Sequence, residues 1–257
     1  MRMVGYTLFH MDPGYRQNLI EKHRFYVNEG RSRLLTQFDD VSAEADAFAE
    51  KWASERSHLF DPERDDPSDL DERAWEESIT FYGMLDDLHA DVRLAIIAGM
   101  YHGWDKDLRD WIVTQIRHWH SGKDVPAEIW SVNFAGLMEF LSCFGWAVDD
   151  LPCHRGLDRC RLVVNAYKHG EGPALESLKN HHSDLLAGGL LDATPNRELA
   201  KRLLGYRHLK VTDGHLDEFS DAIVDFWAAM PETISEDDFR SWPDWLEKAV
   251  ARDKEAP

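Results

Sequence analysis

The stretch Trp75-Glu-Glu-Ser-Ile79-Thr-Phe-Tyr82-Gly-Met-Leu85-Asp-Asp-Leu88-His-Ala-Asp-Val92 decides the fold. Its bulky apolar residues recur three and four apart, which is the repeat of a helix face and not the alternation of a strand. The pattern predicts a long helix from about Asp71, running on into the apolar block Leu94-Ala-Ile-Ile-Ala98. The same rhythm appears on both sides of it. Pro13-Gly14 opens a helical stretch to about Gly30, and Ser42 is placed to cap a helix from Ala43 to about His58. Asp105 to His120 carries Leu108, Trp111, Ile112 and Ile116 on one face, and reads as a separate helix. Phe134 to Trp146 is apolar almost all round, which predicts a central core helix. Further helices are expected over His154–His169, Pro173–Leu186, Arg197–Leu204 and Leu216–Met230. A last one is expected from Ser235, where Ser235-x-x-Asp238 resembles a capping box.

Two segments break the rhythm. Asp61 to Asp69 holds two prolines and five acidic residues, so 60–70 reads as an acidic, proline-containing loop. After Gly188-Gly189 the pattern weakens, and 187–213 reads as a small irregular insert in which only His208 to Thr212 alternates like a strand. The expected fold class is all-α: an antiparallel helical bundle forming a single helical domain over 1–257.

Composition supports a packed core, with 43% apolar residues and 10 Trp, 12 Phe and 7 Tyr among 257 residues. It also excludes several classes. No run of about 18 apolar residues exists to span a membrane, and the first ten residues are too short and interrupted for a secretory leader. Three cysteines do not make a disulfide framework, so a reducing cytoplasm is expected. The net charge of −19 argues against a wide basic nucleic-acid face. The charge is unevenly spread, however. Residues 36–154 carry −17 and 211–257 carry −9, whereas 1–35 carry +3 and 155–210 carry +4.

The familiar catalytic signatures are missing: there is no P-loop, no G-x-G-x-x-G, no G-x-S-x-G and no H-E-x-x-H. Glu55-x-x-His58 and Asp86-x-x-His89 have the carboxylate–imidazole spacing of di-iron bundles, but no partner glutamates accompany them. Cys143, Cys153 and Cys160 contain no C-x-x-C pair. The sequence calls for no metal and no cofactor. What remains is Arg159-Cys-Arg161-Leu-Val-Val-Asn165-Ala-Tyr-Lys168-His169-Gly170. Arg161, Asn165 and His169 stand four apart and form one polar stripe drifting by about 40° per step. Gly170 suits the position just past a helix end, with Lys168 and His169 in the last turn beside the negative end of the helix dipole. An Arg, an amide and a His on one stripe suit metal-free cleavage of an RNA backbone, the His moving the proton and the cations meeting the phosphate. Ordinary helix capping and packing would use the same residues.

At this helix end the sequence resembles the HEPN-like helical superfamily of bacterial proteins. The resemblance is carried by residues 150–190, and a HEPN-like core would occupy 71–230. Seven residues separate Arg161 from His169, a longer interval than the active ribonucleases of that superfamily use. The resemblance implies an antiparallel bundle that forms a homodimer with two motif helices face to face. It implies a metal-independent endoribonuclease of toxin–antitoxin or phage-defence systems, with RNA as substrate and an antitoxin or other defence component as protein partner. His169 would be the general acid/base, Asn165 its orienter, and Arg161, with Lys168 and Arg159, the phosphate contacts. Other branches of the superfamily keep the fold without cleavage, so a non-catalytic interaction or scaffold protein is the second expectation. A third is an acidic, immunity-type partner-binding protein using 61–87.

Overall fold

The computed structural model describes residues 6–59, 64, 66–187 and 197–255. The chain is mostly helical, with one small two-stranded antiparallel sheet. Strand β1 (Thr7–His10) leads into α1 (Pro13–Leu34), α2 (Val41–Arg56) and α3 (Pro67–Ile116). Shorter helices α4 (Asp124–Ser131) and α5 (Phe134–Cys143) precede α6 (Pro152–His169) and α7 (Pro173–His181). Then come α8 (Arg197–Leu203), α9 (Asp213–Ala229), strand β2 (Thr233–Ser235) and α10 (Asp244–Glu255).

Two helices begin at Asp-Pro pairs. In Asp12-Pro13 and Asp66-Pro67 the proline takes the first helical position, where its missing N–H costs nothing, and holds the preceding Asp extended. Each Asp then caps its helix: Asp12 accepts from the Tyr15 N–H at 2.8 Å and Asp66 from the Ser68 N–H at 3.0 Å. Pro67 to Leu70 therefore belong to α3 and not to the acidic loop expected over 60–70; residues 60–63 and 65 lie outside the described residues. The two hydrogen bonds from Ser68 hold the Asp66 carboxyl below the usual carboxylate range.

The two helices expected on either side of residues 99–104 are one. α3 runs unbroken for 50 residues through Gly99 and Gly103, a length of about 75 Å at 1.5 Å per residue. Glycine weakens a helix without breaking it, and packing carries α3 across. Its first half has α2 lying antiparallel along it, with Phe48 of α2 stacked on Phe81 at 4.4 Å and Phe38, in the turn before α2, on His89 at 4.8 Å. Trp75, Ile79 and Tyr82 on this half stay exposed.

The second half of α3 is central to the core, where Ile97, Leu108, Ile112 and Ile116 are fully buried. α1 runs antiparallel to it, as the Lys22–Asp107 ion pair and the Gly30–Ile96 contact show. α9 runs parallel to it, joined by Arg93–Asp213 and by Trp104 against Phe226. α6 lies antiparallel to α9, with Gly156 against Ala222 and Arg159 paired with Glu218. The buried cluster draws residues from Phe9 to Ala249.

The sheet lies where no strand was expected. β1 pairs with β2 so that Phe9 faces Ile234, and Phe9 is buried among Trp111, Phe140 and Phe144. The strand expected over His208–Thr212 is instead a 3-10 turn at Tyr206–His208 followed by a single bridge, Leu186 to Leu209. Of the irregular insert, 188–196 lie outside the described residues, and 197–203 form α8. Ser235-x-x-Asp238 is a capping box, with Ser235 N and Oγ each 2.8 Å from Asp238 Oδ2, but it closes one 3-10 turn and α10 begins only at Asp244. No helix among the described residues is long and apolar enough to cross a membrane.

Candidate functional site

Pro152 starts α6 at its first turn, and the apolar face Leu157, Cys160, Val163, Val164 and Ala166 presses it into the core. That leaves Arg161 and Asn165 half-buried and Lys168 and His169 exposed along the outer side. The helix stops at Gly170, whose φ of +68° lies in the left-handed region that favours glycine and whose N–H still reaches the Ala166 carbonyl at 2.9 Å. Three residues later Pro173 opens α7. The turn between the two helices leaves an open cleft of about 380 Å³ in which Arg161, Asn165 and His169 share the wall with Glu171. The Glu171 carboxylate accepts from the Tyr206 N–H at 3.4 Å and so ties the cleft to the 206–208 turn.

The three stripe residues thus line one cleft, and His169 is not roofed by aromatic side chains. Their spacing limits what they do together. Eight residues place Arg161 and His169 about 12 Å apart along the axis and about 80° apart around it, at 1.5 Å and 100° per residue. Arg161 is also engaged already. Its Nε and Nη2 donate to Asp158 Oδ1 at 2.9 and 2.6 Å, and its guanidinium lies 5.5 Å from the centre of the Phe134 ring.

Of the two further cations expected at the phosphate, Arg159 sits elsewhere. Arg159 is two residues from Arg161 and so about 200° around the helix. It is only 5% exposed, and Asp184 (2.6 Å) and Glu218 (2.8 Å) hold its guanidinium on the α9 side. Hydrogen bonds from Arg159 hold the Asp184 carboxyl low. Arg159 is a buried ion-pair residue, and the phosphate role expected for it has no access. Lys168 is exposed, seven residues after Arg161 and so about 20° from it around the helix; it also acts on His102, whose imidazole is pushed down first by burial and then by Lys168.

One feature was not anticipated. The polar stripe extends backwards to Asp158 and His154, which with Arg161 line an adjoining depression of about 340 Å³. His154 stacks on Phe134 and pairs with Asp149 at 3.1 Å. The positions 154, 158, 161, 165 and 169 continue one helical row, a spacing readable in the sequence. Cys143, Cys153 and Cys160 are free thiols, and burial pushes all three up. Among the described residues no group of three or more His, Cys, Asp or Glu side chains is placed to hold a metal ion. No family model matches the chain, and neither a curated protein nor a solved structure is significantly similar to it.

Proposed function

We propose that the chain is a HEPN-like protein that cleaves an RNA backbone without a metal, using the outer stripe of α6. The observation that carries this reading is the open cleft shared by Arg161, Asn165 and His169. In this reading His169, exposed at the end of α6, takes the 2′-hydroxyl proton or returns one to the leaving oxygen. Asn165, one turn before it, orients the imidazole or the ribose. Arg161, about 12 Å further back along the axis, meets a neighbouring phosphate. A symmetric homodimer would set two such stripes against each other and complete the cationic surface that one cleft lacks. A cytoplasmic role in growth arrest or phage defence, with an antitoxin-like partner, belongs to the same reading. The test is cleavage of RNA in EDTA by the wild type and by His169→Ala. Cleavage that requires His169 supports the reading; cleavage unchanged in the variant removes it.

A second reading has its own observation. The α2–α3 pair exposes Trp75, Ile79 and Tyr82 within the acidic part of the chain, which suits a non-catalytic interaction module that docks a basic partner. Purified protein that binds a basic protein partner, and cleaves nothing, favours it.

A further inference from the structure

Residues 205–212 cross from the α6 cleft to the start of α9 as a strap whose own structure is one 3-10 turn and the bridge at Leu209. Its near end is the Tyr206 N–H on Glu171. Its middle is tied to 185–187 by two backbone hydrogen bonds, from the Ala187 N–H to the His208 carbonyl at 2.7 Å and from the Lys210 N–H to the Leu185 carbonyl at 2.8 Å. Two guanidiniums grip the rest. Arg93 of α3 donates to the Val211 carbonyl at 3.3 Å and to Asp213, the first residue of α9, at 2.7 Å. Arg159 of α6 holds Asp184, next to the segment that the strap pairs with, at 2.6 Å.

Each guanidinium also donates to an imidazole. Arg93 Nη2 lies 2.9 Å from His89 Nε2, and Arg159 Nη1 lies 3.2 Å from His182 Nδ1. A guanidinium carries donors only and keeps its charge, so both ring nitrogens are bare acceptors and both rings are neutral. His215 is a third acceptor: its Nδ1 takes the Thr212 N–H at 3.1 Å, where the strap ends, and its Nε2 is 3.9 Å from Asp184. The groups around the first two rings do not hold a proton there. Asp39, Asp86 and Asp213 face His89 and favour one, but burial and Arg93 outweigh them. At His182, Asp184 and Asp158 favour one, and burial with Arg159 and Arg155 outweighs them. The carboxylate of Glu218, across on α9, is taken up by Arg159 at 2.8 Å, and the ring of His181 stands 6.5 Å from that of His182.

We infer that 205–212 is an acid-released strap: a proton on His89 and one on His182 turn two hydrogen-bond acceptors into cations against Arg93 and Arg159, and loosen both grips. The imidazolium of His182 also competes with Arg159 for Asp184. The fastened strap needs neutral rings, so it is complete above pH ~6.5, the ordinary histidine value, and loosens as pH falls below it. Loosening withdraws the Tyr206 N–H from Glu171 and widens the α6 cleft at that wall. The grip on the strap holds whether or not the cleft cleaves RNA.

The test is amide hydrogen exchange by NMR on the full chain at pH 7 and pH 5, with the intrinsic pH dependence of exchange divided out. Ala187 and Lys210 report the strap, and Val163, buried in the middle of α6, reports unfolding of the whole chain. Protection at Ala187 and Lys210 should fall about tenfold or more between the two pH values, and at Val163 by a smaller factor. His89→Gln and His182→Asn each set an amide oxygen near the accepting ring nitrogen and take up no proton. The double variant should keep its protection at pH 7 and lose most of the fall at pH 5, the remainder belonging to His215. Each single variant should lose part of it, so the outcome does not hang on the double variant folding. The strap is not acid-released if Ala187 and Lys210 keep their protection at pH 5, if Val163 falls by the same factor, or if the variants fall as far as the wild type.

Discussion

The carboxylate of Asp253, near the end of α10, lies 2.8 Å from the backbone nitrogen of Asp124 and caps the start of α4 from 129 residues away. The same carboxylate accepts from the Val125 N–H at 3.0 Å and meets His120 Nε2 at 2.8 Å. Burial alone would raise its pKa, but these hydrogen bonds outweigh burial and hold it at about 2. α4 has no cap of its own, since Lys123 at the capping position makes no side-chain bond. Removing the carboxylate should therefore cost more than an ordinary surface change. Asp253→Ala is expected to lose about 1–3 kcal/mol in urea unfolding, because three donors lose their acceptor together.

The same carboxylate carries a pH signature. A folded-state pKa of about 2 lies below the unfolded value near 3.9, so the stability it contributes is complete above pH ~4 and is lost as pH falls towards 2. Asp253→Asn should flatten the wild-type loss of melting temperature across that window. An equal loss in both proteins would sink this account.

His23 supplies a second window. Burial lowers its pKa to about 4, against the raising effect of its bond with Ser220. The folded state thus resists the proton that the unfolded chain takes up near pH 6.5. Stability is complete above pH ~6.5 and falls as pH drops towards 4, by on the order of 3 kcal/mol in all. His23→Gln should reduce the change in urea midpoint between pH 7 and pH 5, and His89, His102 and His182, also pushed down by burial, account for part of what is left.

Arg159 separates a structural cation from a nucleic-acid contact. Asp184→Asn with Glu218→Gln strands a buried guanidinium and is expected to cost about 3–5 kcal/mol, more than Arg159→Met, which removes the charge itself. RNA affinity of folded Arg159→Met should match the wild type in a filter-binding titration. A large loss of affinity would return Arg159 to the site.

Arg161 should behave in the opposite way. Its fork is held by Asp158, so Asp158→Asn is expected to release it and to raise RNA affinity about three- to tenfold at low salt. Affinity that is unchanged or lower in the variant would place Arg161 outside the RNA path.

Most helices are legible in the sequence because burial of one face writes a repeat into it; Trp111 and Ile112 or Phe219 and Ile223 need nothing further to be read. What escaped depends on partners far along the chain. β1 and β2 have 4 and 3 residues, too few for alternation to register, and their pairing joins the two ends of the molecule. The union of two expected helices into α3 rests on packing that Gly99 and Gly103 do not announce. Asp40, and not Ser42, caps α2, a shift of two residues within one cluster of capping side chains. At the site the stripe of Arg161, Asn165 and His169 was readable from its spacing alone. The burial of Arg159 was not, since Asp184 and Glu218 lie 25 and 59 residues away.

The unbroken backbone of α3 has a mechanical consequence. The half that carries α2 and the half inside the core are one rod, without a hinge between them. Leverage applied where Trp75 and Ile79 are exposed is transmitted along the axis rather than absorbed in a loop. It arrives at Gly99 and Gly103, where two missing side chains make the rod thinnest and Tyr26 leans into the notch.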